Sequence, residues 1–216
     1  MQGLKYYIIK ELAEEFIFFE VKRMNTFNEM VAKIAARVRS SNIIEIEDIP
    51  NIDLYMDQVT TFMDKCLVQY KRYDDDKILT KTMINNYTKA KIFPAPVKKK
   101  YSRTHLMLLI MIYHLKSILS IKDIGILFQS ALSEPNKLKQ EKMIEAIYSG
   151  FISLQKQTMN YLADAAEGKP DESFYGKESI LMYKEDEMKR IMMTLALAIR
   201  ANTEKQLAEK VLDLYL

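Results

Sequence analysis

Apolar residues in this chain recur at three- and four-residue steps and seldom at every second position, and that periodicity restricts the fold more than any other feature. Between residues 54 and 72, Val59, Phe62, Met63, Cys66, Leu67 and Tyr70 fall on one face of a helix. A half-buried strand needs alternation, so strand content should be small. Five glycines and five prolines in 216 residues leave helices joined by short connections. The expected fold class is all-α.

Punctuation divides the chain further. A first helical region spans Leu4 to Arg39, and Ser40-Ser41-Asn42 followed by Pro50-Asn51 marks a break. After the helix from Leu54 to Arg72 and the polar run Tyr73-Asp74-Asp75-Asp76, a short helix should open on Thr80 as N-cap and reach about Ala90. Its edge Met83, Ile84 and Tyr87 is apolar, whereas Thr82, Asn85, Asn86 and Lys89 make one continuous polar stripe. Ile92-Phe93-Pro94-Ala95-Pro96-Val97 forbids further helix and leads into Lys98-Lys99-Lys100-Tyr101-Ser102-Arg103. Ser102 should cap an apolar core helix through about Leu119, in which His105 and His114 are packing residues. Ser120-Ile121-Lys122-Asp123 reads as a capping box opening a helix with Ile121, Ile124, Leu127 and Phe128 inward.

A long helix then runs from Pro135 to about Ala166, ended by Gly168 and Pro170, and two more follow, Tyr183 to Ala201 and Thr203 to Tyr215. On the long helix Ile144, Ile147, Phe151, Leu154, Thr158, Tyr161 and Ala165 form a heptad-like seam, imperfect at Gly150. Ile144, Ile147, Phe151, Leu154 and Tyr161 read equally as a homodimer interface and as the protomer's own core. The organisation expected is an N-terminal helical region over 1–50, a central domain over 51–132 and a C-terminal dimerisation or effector region over 133–216.

Charge is distributed unevenly. From Lys77 through Lys122 there are ten basic residues and no Asp or Glu, so the remaining 22 basic residues face all 29 acidic ones, a net of about −7 outside this stretch. Such a concentration is the electrostatic footprint of a polyanion site. An exposed Asn can bond both N6 and N7 of adenine in the major groove, and a lysine run on an extended tip is suited to phosphates.

Other classes are disfavoured. Cys66 has no partner cysteine and, on an apolar helix face, reads as core; the two histidines match no zinc spacing. No metal or other cofactor is expected. Charged residues interrupt the N-terminus, and the longest apolar run, Leu106 to Tyr113, is far too short for a bilayer, so a soluble cytoplasmic protein without membrane association is expected. There is no GxGxxG, P-loop, nucleophile-elbow or HExxH pattern, which argues against an enzyme.

The stretches Leu79 to Lys89, Lys98 to His105 and Leu119 to Ile124, with Ile52 to Val59 before them, resemble the bacterial domain-of-unknown-function family 1836 over roughly residues 50 to 130. That family in turn resembles the MerR-type winged helix-turn-helix, in which a helix pair is followed by a basic, Tyr-containing wing and a second helix pair. The resemblance implies that Ile84-Asn85-Asn86-Tyr87 sits on the recognition helix and that Asn85, Tyr87, Lys99 and Tyr101 contact the DNA backbone. Departures are Asn85 where arginine is usual, Lys91 where a helix-ending glycine is usual, a shorter wing without glycine, and Asp74-Asp75-Asp76, which lengthens the helix-turn-helix connection. Relatives of the MerR type dimerise through a C-terminal helix and often add an effector domain.

Together these readings lead to the expectation of sequence-specific duplex DNA binding by a homodimeric transcriptional regulator that answers to an unidentified small-molecule effector. The alternative is a helical interaction module whose basic face meets an acidic protein or RNA. The DNA-binding residues expected are Lys81, Thr82, Asn85, Asn86, Tyr87 and Lys89 on the short helix, then Lys91, Lys98, Lys99, Lys100, Tyr101 and Arg103 beyond it.

Overall fold

The computed structural model describes residues 29, 32, 33, 35–166 and 183–215. Most of the helix expected over Leu4 to Arg39 lies outside them, as do Gly168 and Pro170. Helical turns at 35–39 lead to a 3-10 turn at Ile46–Asp48 and then to strand β1, Leu54–Tyr55. Helix α1, Met56–Cys66, follows, then a 3-10 turn at Val68–Tyr70 and helix α2, Lys81–Lys89. Strand β2, Lys100–Tyr101, precedes helices α3, Arg103–Leu115, and α4, Ile121–Leu132. Two 30-residue helices, α5, Lys137–Ala166, and α6, Asp186–Tyr215, complete the described chain.

The protein is mostly helical, with one two-stranded antiparallel ladder pairing Leu54 with Tyr101 and Tyr55 with Lys100. The helix expected from Leu54 therefore begins two residues later. Its first turn is set by a capping box in which the Tyr55 amide donates to Gln58 Oε1 at 2.9 Å.

α3 is the hub. Ten of its thirteen residues are buried, so it is apolar on every side, as a helix enclosed by others must be. It packs on α5 and α6, which also pack along each other. Ser102 caps it, and His105 at the third position returns the bond, its Nδ1 accepting from the Ser102 amide at 3.1 Å. Ile124, Leu127 and Phe128 on α4 are buried as expected, but Ile121 is exposed. It is the first residue of its helix, before the inward face begins.

The seam on α5 closes the chain's own core. Ile144, Ile147, Phe151 and Leu154 are each at most 1 % exposed within the single chain, and Tyr161 is half-buried under the Arg200 guanidinium at 5.3 Å. Of the two readings open for this seam, a dimer interface or the protomer's own core, the first four positions follow the second and have no surface to offer a second copy. Gly150 fits the same packing: a Cβ there would lie 2.5 Å from Met192 Sδ, so its bare backbone lets α6 approach. α6 is one helix where two were expected. Asn202 turns inward, accepting from Ser117 Oγ at 2.6 Å, and Thr203 bonds back to the Ile199 carbonyl at 2.8 Å, so the polar pair stays within the helix.

One hydrophobic core extends from Ile44 to Ile199 and crosses both divisions expected at 50 and 132. Tyr148 Oη donates to the Ile44 carbonyl at 2.8 Å, fastening α5 to the segment before β1. A smaller cluster joins Ala35 and Val38 to Met159 and Ala163. Cys66 is half-buried against the core, and burial pushes its thiol up to about 12, which keeps it protonated. Among the described residues, no helix is long and apolar enough to cross a membrane, and no three His, Cys, Asp or Glu side chains are grouped to hold a metal ion.

Candidate nucleic-acid interface

Helix α2 begins as its sequence dictates. Thr80 is extended, and its Oγ1 accepts from the Met83 amide at 3.2 Å. Ile84 and Tyr87 are buried and fix the rotation of the helix, which leaves Thr82, Asn85, Asn86 and Lys89 all exposed. Among the described residues none of these four side chains has a hydrogen-bond or ion-pair partner. The polar stripe is therefore free to meet a ligand. Lys116 Nζ, stacked over the Tyr113 ring at 4.8 Å, donates to the Ile78 carbonyl at 2.9 Å and steadies the approach to Thr80. Burial holds Lys116 below the usual lysine range, so this member of the basic stretch is an internal tether.

The end of α2 is a Schellman motif built without glycine. The Ile92 amide donates to the Tyr87 carbonyl at 3.2 Å and the Lys91 amide to the Thr88 carbonyl at 3.0 Å, which requires Lys91 in the left-handed region at φ 60°. Ile92 and Phe93 then drop into the core, Ile92 against the face that Gly125 leaves open on α4. From there the prolines carry the chain outward to a hairpin tip. Val97 and Lys100 exchange both backbone hydrogen bonds, at 3.0 and 2.9 Å, around the two-residue turn Lys98-Lys99.

Both tip residues have positive φ, 49° and 63°, the type I′ pattern that ordinarily selects Asn-Gly. Lysine pays a conformational penalty of roughly 1–2 kcal/mol per residue there. Lys91, Lys98 and Lys99 are the described non-glycine residues with positive φ, and all three side chains are exposed cations without an ion-pair partner among the described residues.

Beneath the tip, an aromatic group anchors the hairpin. Phe93 stacks on Tyr101 at 6.0 Å, and His105 meets both edge-on at 5.2 and 5.6 Å. Burial lowers the His105 pKa, so the ring is neutral and can accept from Ser102. Tyr87 and Tyr101, expected as backbone contacts, are buried at 7 % and 3 % exposure, because their rings are needed to seat α2 and β2. Each lacks a protein hydrogen bond among the described residues, yet neither hydroxyl is sealed from solvent. Burial raises both pKa values, keeping the hydroxyls protonated donors.

Three expected contacts are already engaged. Arg103 reaches inward, its guanidinium donating to the Ile46 carbonyl, and its Nε is buried. Lys100 lies over the Tyr55 ring at 5.2 Å across the ladder, and Lys81 pairs with Asp57 at the start of α1. The last pair is largely exposed and so of little worth. The surface that remains is Thr82, Asn85, Asn86 and Lys89 on α2, with Lys91 at its end and Lys98 and Lys99 on the hairpin. Asp76 is turned to local work, its Oδ2 accepting from the Arg72 and Tyr73 amides at 3.1 and 3.0 Å.

β1 and the left-handed lysines were the features hidden from sequence reasoning. A two-residue strand has no period to detect, and lysine argues against positive φ. The spacing of a two-residue turn between Val97 and Lys100 was the one available signal.

A family model described as "Domain of unknown function (DUF1836)" matches residues 44–151. No curated protein and no solved structure matches the chain. The matched segment starts where the core does, and Tyr148 near its far end holds the Ile44 carbonyl, while the core itself continues to Ile199 on α6.

Proposed function

The chain belongs to the domain-of-unknown-function family 1836, and from the surface carried by this family segment we propose that it binds duplex DNA in a sequence-specific manner as a transcriptional regulator of the MerR-like winged helix-turn-helix type. α1 and α2 form the helix pair, with α2 as recognition helix, and the hairpin at Lys98-Lys99 is the wing. The observation that carries this reading is the pair of wing-tip lysines held in left-handed conformation with no charge partner among the described residues. Strain of this kind persists where the side chain is needed for a task, and a cation at a hairpin tip is suited to a phosphate.

The division of labour follows from geometry. Lys89, Lys91, Lys98 and Lys99 contact phosphates, which sets the register, while the amides of Asn85 and Asn86 and the hydroxyl of Thr82 supply base contacts. One nine-residue helix reads few bases, so two copies on a palindrome are the functional form. Their shared surface lies away from the α5 seam, which the core consumes.

Titration of the purified protein with random duplex DNA, single-stranded DNA and RNA over a salt series tests the reading. Duplex should bind best, with log K falling linearly against log salt, and Lys99→Ala should reduce that slope by about one for every sequence alike. Stronger binding to RNA, or no binding to any nucleic acid, would sink the proposal.

A further inference from the structure

Away from the basic face, a cavity of about 300 Å³ opens between the helical turn at 35–39, the 3-10 turn before Arg72, and the facing flanks of α5 and α6. Its floor is apolar, formed by Val38, Met159 and Leu207, the surface of the second hydrophobic cluster. Lys33, Arg37 and Lys71 stand on its rim. The two carboxylates present, Glu209 and Asp213, are both held by Arg72, at 3.4 and 2.8 Å. Lys33 and Arg37 therefore have no carboxylate partner among the described residues, and Lys71 reaches only the Asp74 carbonyl at 3.4 Å.

An apolar lining with a small number of polar and charged groups is the usual make-up of a small-molecule site, and the volume falls at the small end of the range for such sites. The charges are excess cations, so the complementary ligand has an anionic head and an apolar body. No histidine or cysteine lines the cavity, which suits binding rather than turnover. We propose that this cavity binds a small amphipathic carboxylate, its chain on Val38, Met159 and Leu207 and its carboxylate between Lys33, Arg37 and Lys71. The wall residues Gln69 to Arg72 belong to the connection that ends at Thr80, so an occupant would bear on the segment leading to α2.

The test needs no DNA, so its outcome is separate from that of the DNA-binding reading. The probe is 8-anilinonaphthalene-1-sulfonate, an anion on an apolar body, whose fluorescence is titrated with the folded full chain. Decanoate, decylamine and decanol are then used as competitors. Decanoate should displace the probe, decanol more weakly and decylamine least. Arg37→Glu should weaken decanoate by about tenfold or more, the loss of one charge-assisted contact, while Lys142→Glu, an exposed reversal on α5, should leave it within about twofold. Lys33→Glu provides a second variant, should Arg37→Glu alter the far-ultraviolet circular dichroism. Failure of the probe to bind, equal competition by decylamine, or equal effects of the rim and α5 reversals would overturn the proposal.

Discussion

Leu54 pairs with Tyr101 across the two-residue ladder, so the strand that leads into α1 and the strand that ends the hairpin are held in register although 47 positions separate the two residues. Through Tyr101 the ladder also rests on Phe93 and His105, the aromatic group at the foot of the hairpin. The hairpin, the start of α1 and the start of α3 are thus packed together. A cation at the tip is presented on this support, which would limit the entropy lost in the phosphate contact proposed for it.

The wing tip separates stability from binding. Replacing Lys98-Lys99 by Asn-Gly removes two left-handed lysines and installs the residues that a type I′ turn prefers. Relief of strain, less the extra chain entropy of glycine, should raise the unfolding free energy by about 1–2 kcal/mol in urea titrations. The same variant should bind duplex DNA more weakly and lower the log–log salt slope by about two. Greater stability with unchanged DNA affinity would take the tip out of the interface.

The base readout proposed for this chain falls to the exposed stripe of α2. Asn86→Ala removes an amide that has no intramolecular partner, so folding should be unaffected. Selection from random duplexes should then show relaxed preference at one base position, worth about 1–3 kcal/mol there. Uniform weakening across all sequences would move Asn86 to the phosphate contacts.

Ile147 provides a test of the core. It is fully buried between helices of the same chain, so Ile147→Ala should cost about 2–5 kcal/mol and Ile147→Asp should unfold the protein, seen as loss of helical circular dichroism. A folded Ile147→Asp monomer by light scattering would restore the dimer-seam reading.

What could be read from the sequence follows from the length over which each signal repeats. α2, α4 and α5 were legible because a cap or a periodic face persists for two turns or more, and Thr80, Ser102 and Ser120 all cap as their spacing indicates. The α5 seam was legible as apolar but not as internal, since periodicity identifies a buried face without naming its cover. At the candidate site the stripe of Thr82, Asn85, Asn86 and Lys89 emerged as read. The packing of Tyr87 and Tyr101 and the inward reach of Arg103 were not legible, because aromatic and guanidinium groups serve packing and binding equally well and only the tertiary structure shows which contacts they make. Lys116 was counted with the basic stretch, and its inward tether depends on α3 lying beside Ile78, a contact 38 positions apart in the chain.

Acidification should destabilise the protein through His114. The ring is enclosed by Tyr70 at 4.5 Å, edge-on, and by Tyr113 and Phe151 at 5.6 Å, and burial lowers its pKa to about 4 from the ordinary 6.5. The folded state therefore holds the ring neutral while the unfolded chain takes up a proton below about pH 6.5. The unfolded state binds more protons in this window, so stability is full above pH 6.5 and falls as pH approaches 4, by about 3 kcal/mol in all. His105, also lowered by burial, acts in the same direction. His114→Phe keeps an aromatic ring in the cluster and removes the titration. Urea midpoints of the two proteins should diverge as pH falls from about 7 to about 4.5, with the variant showing the shallower decline. Parallel declines would mean that His114 takes up its proton equally in the folded and unfolded states.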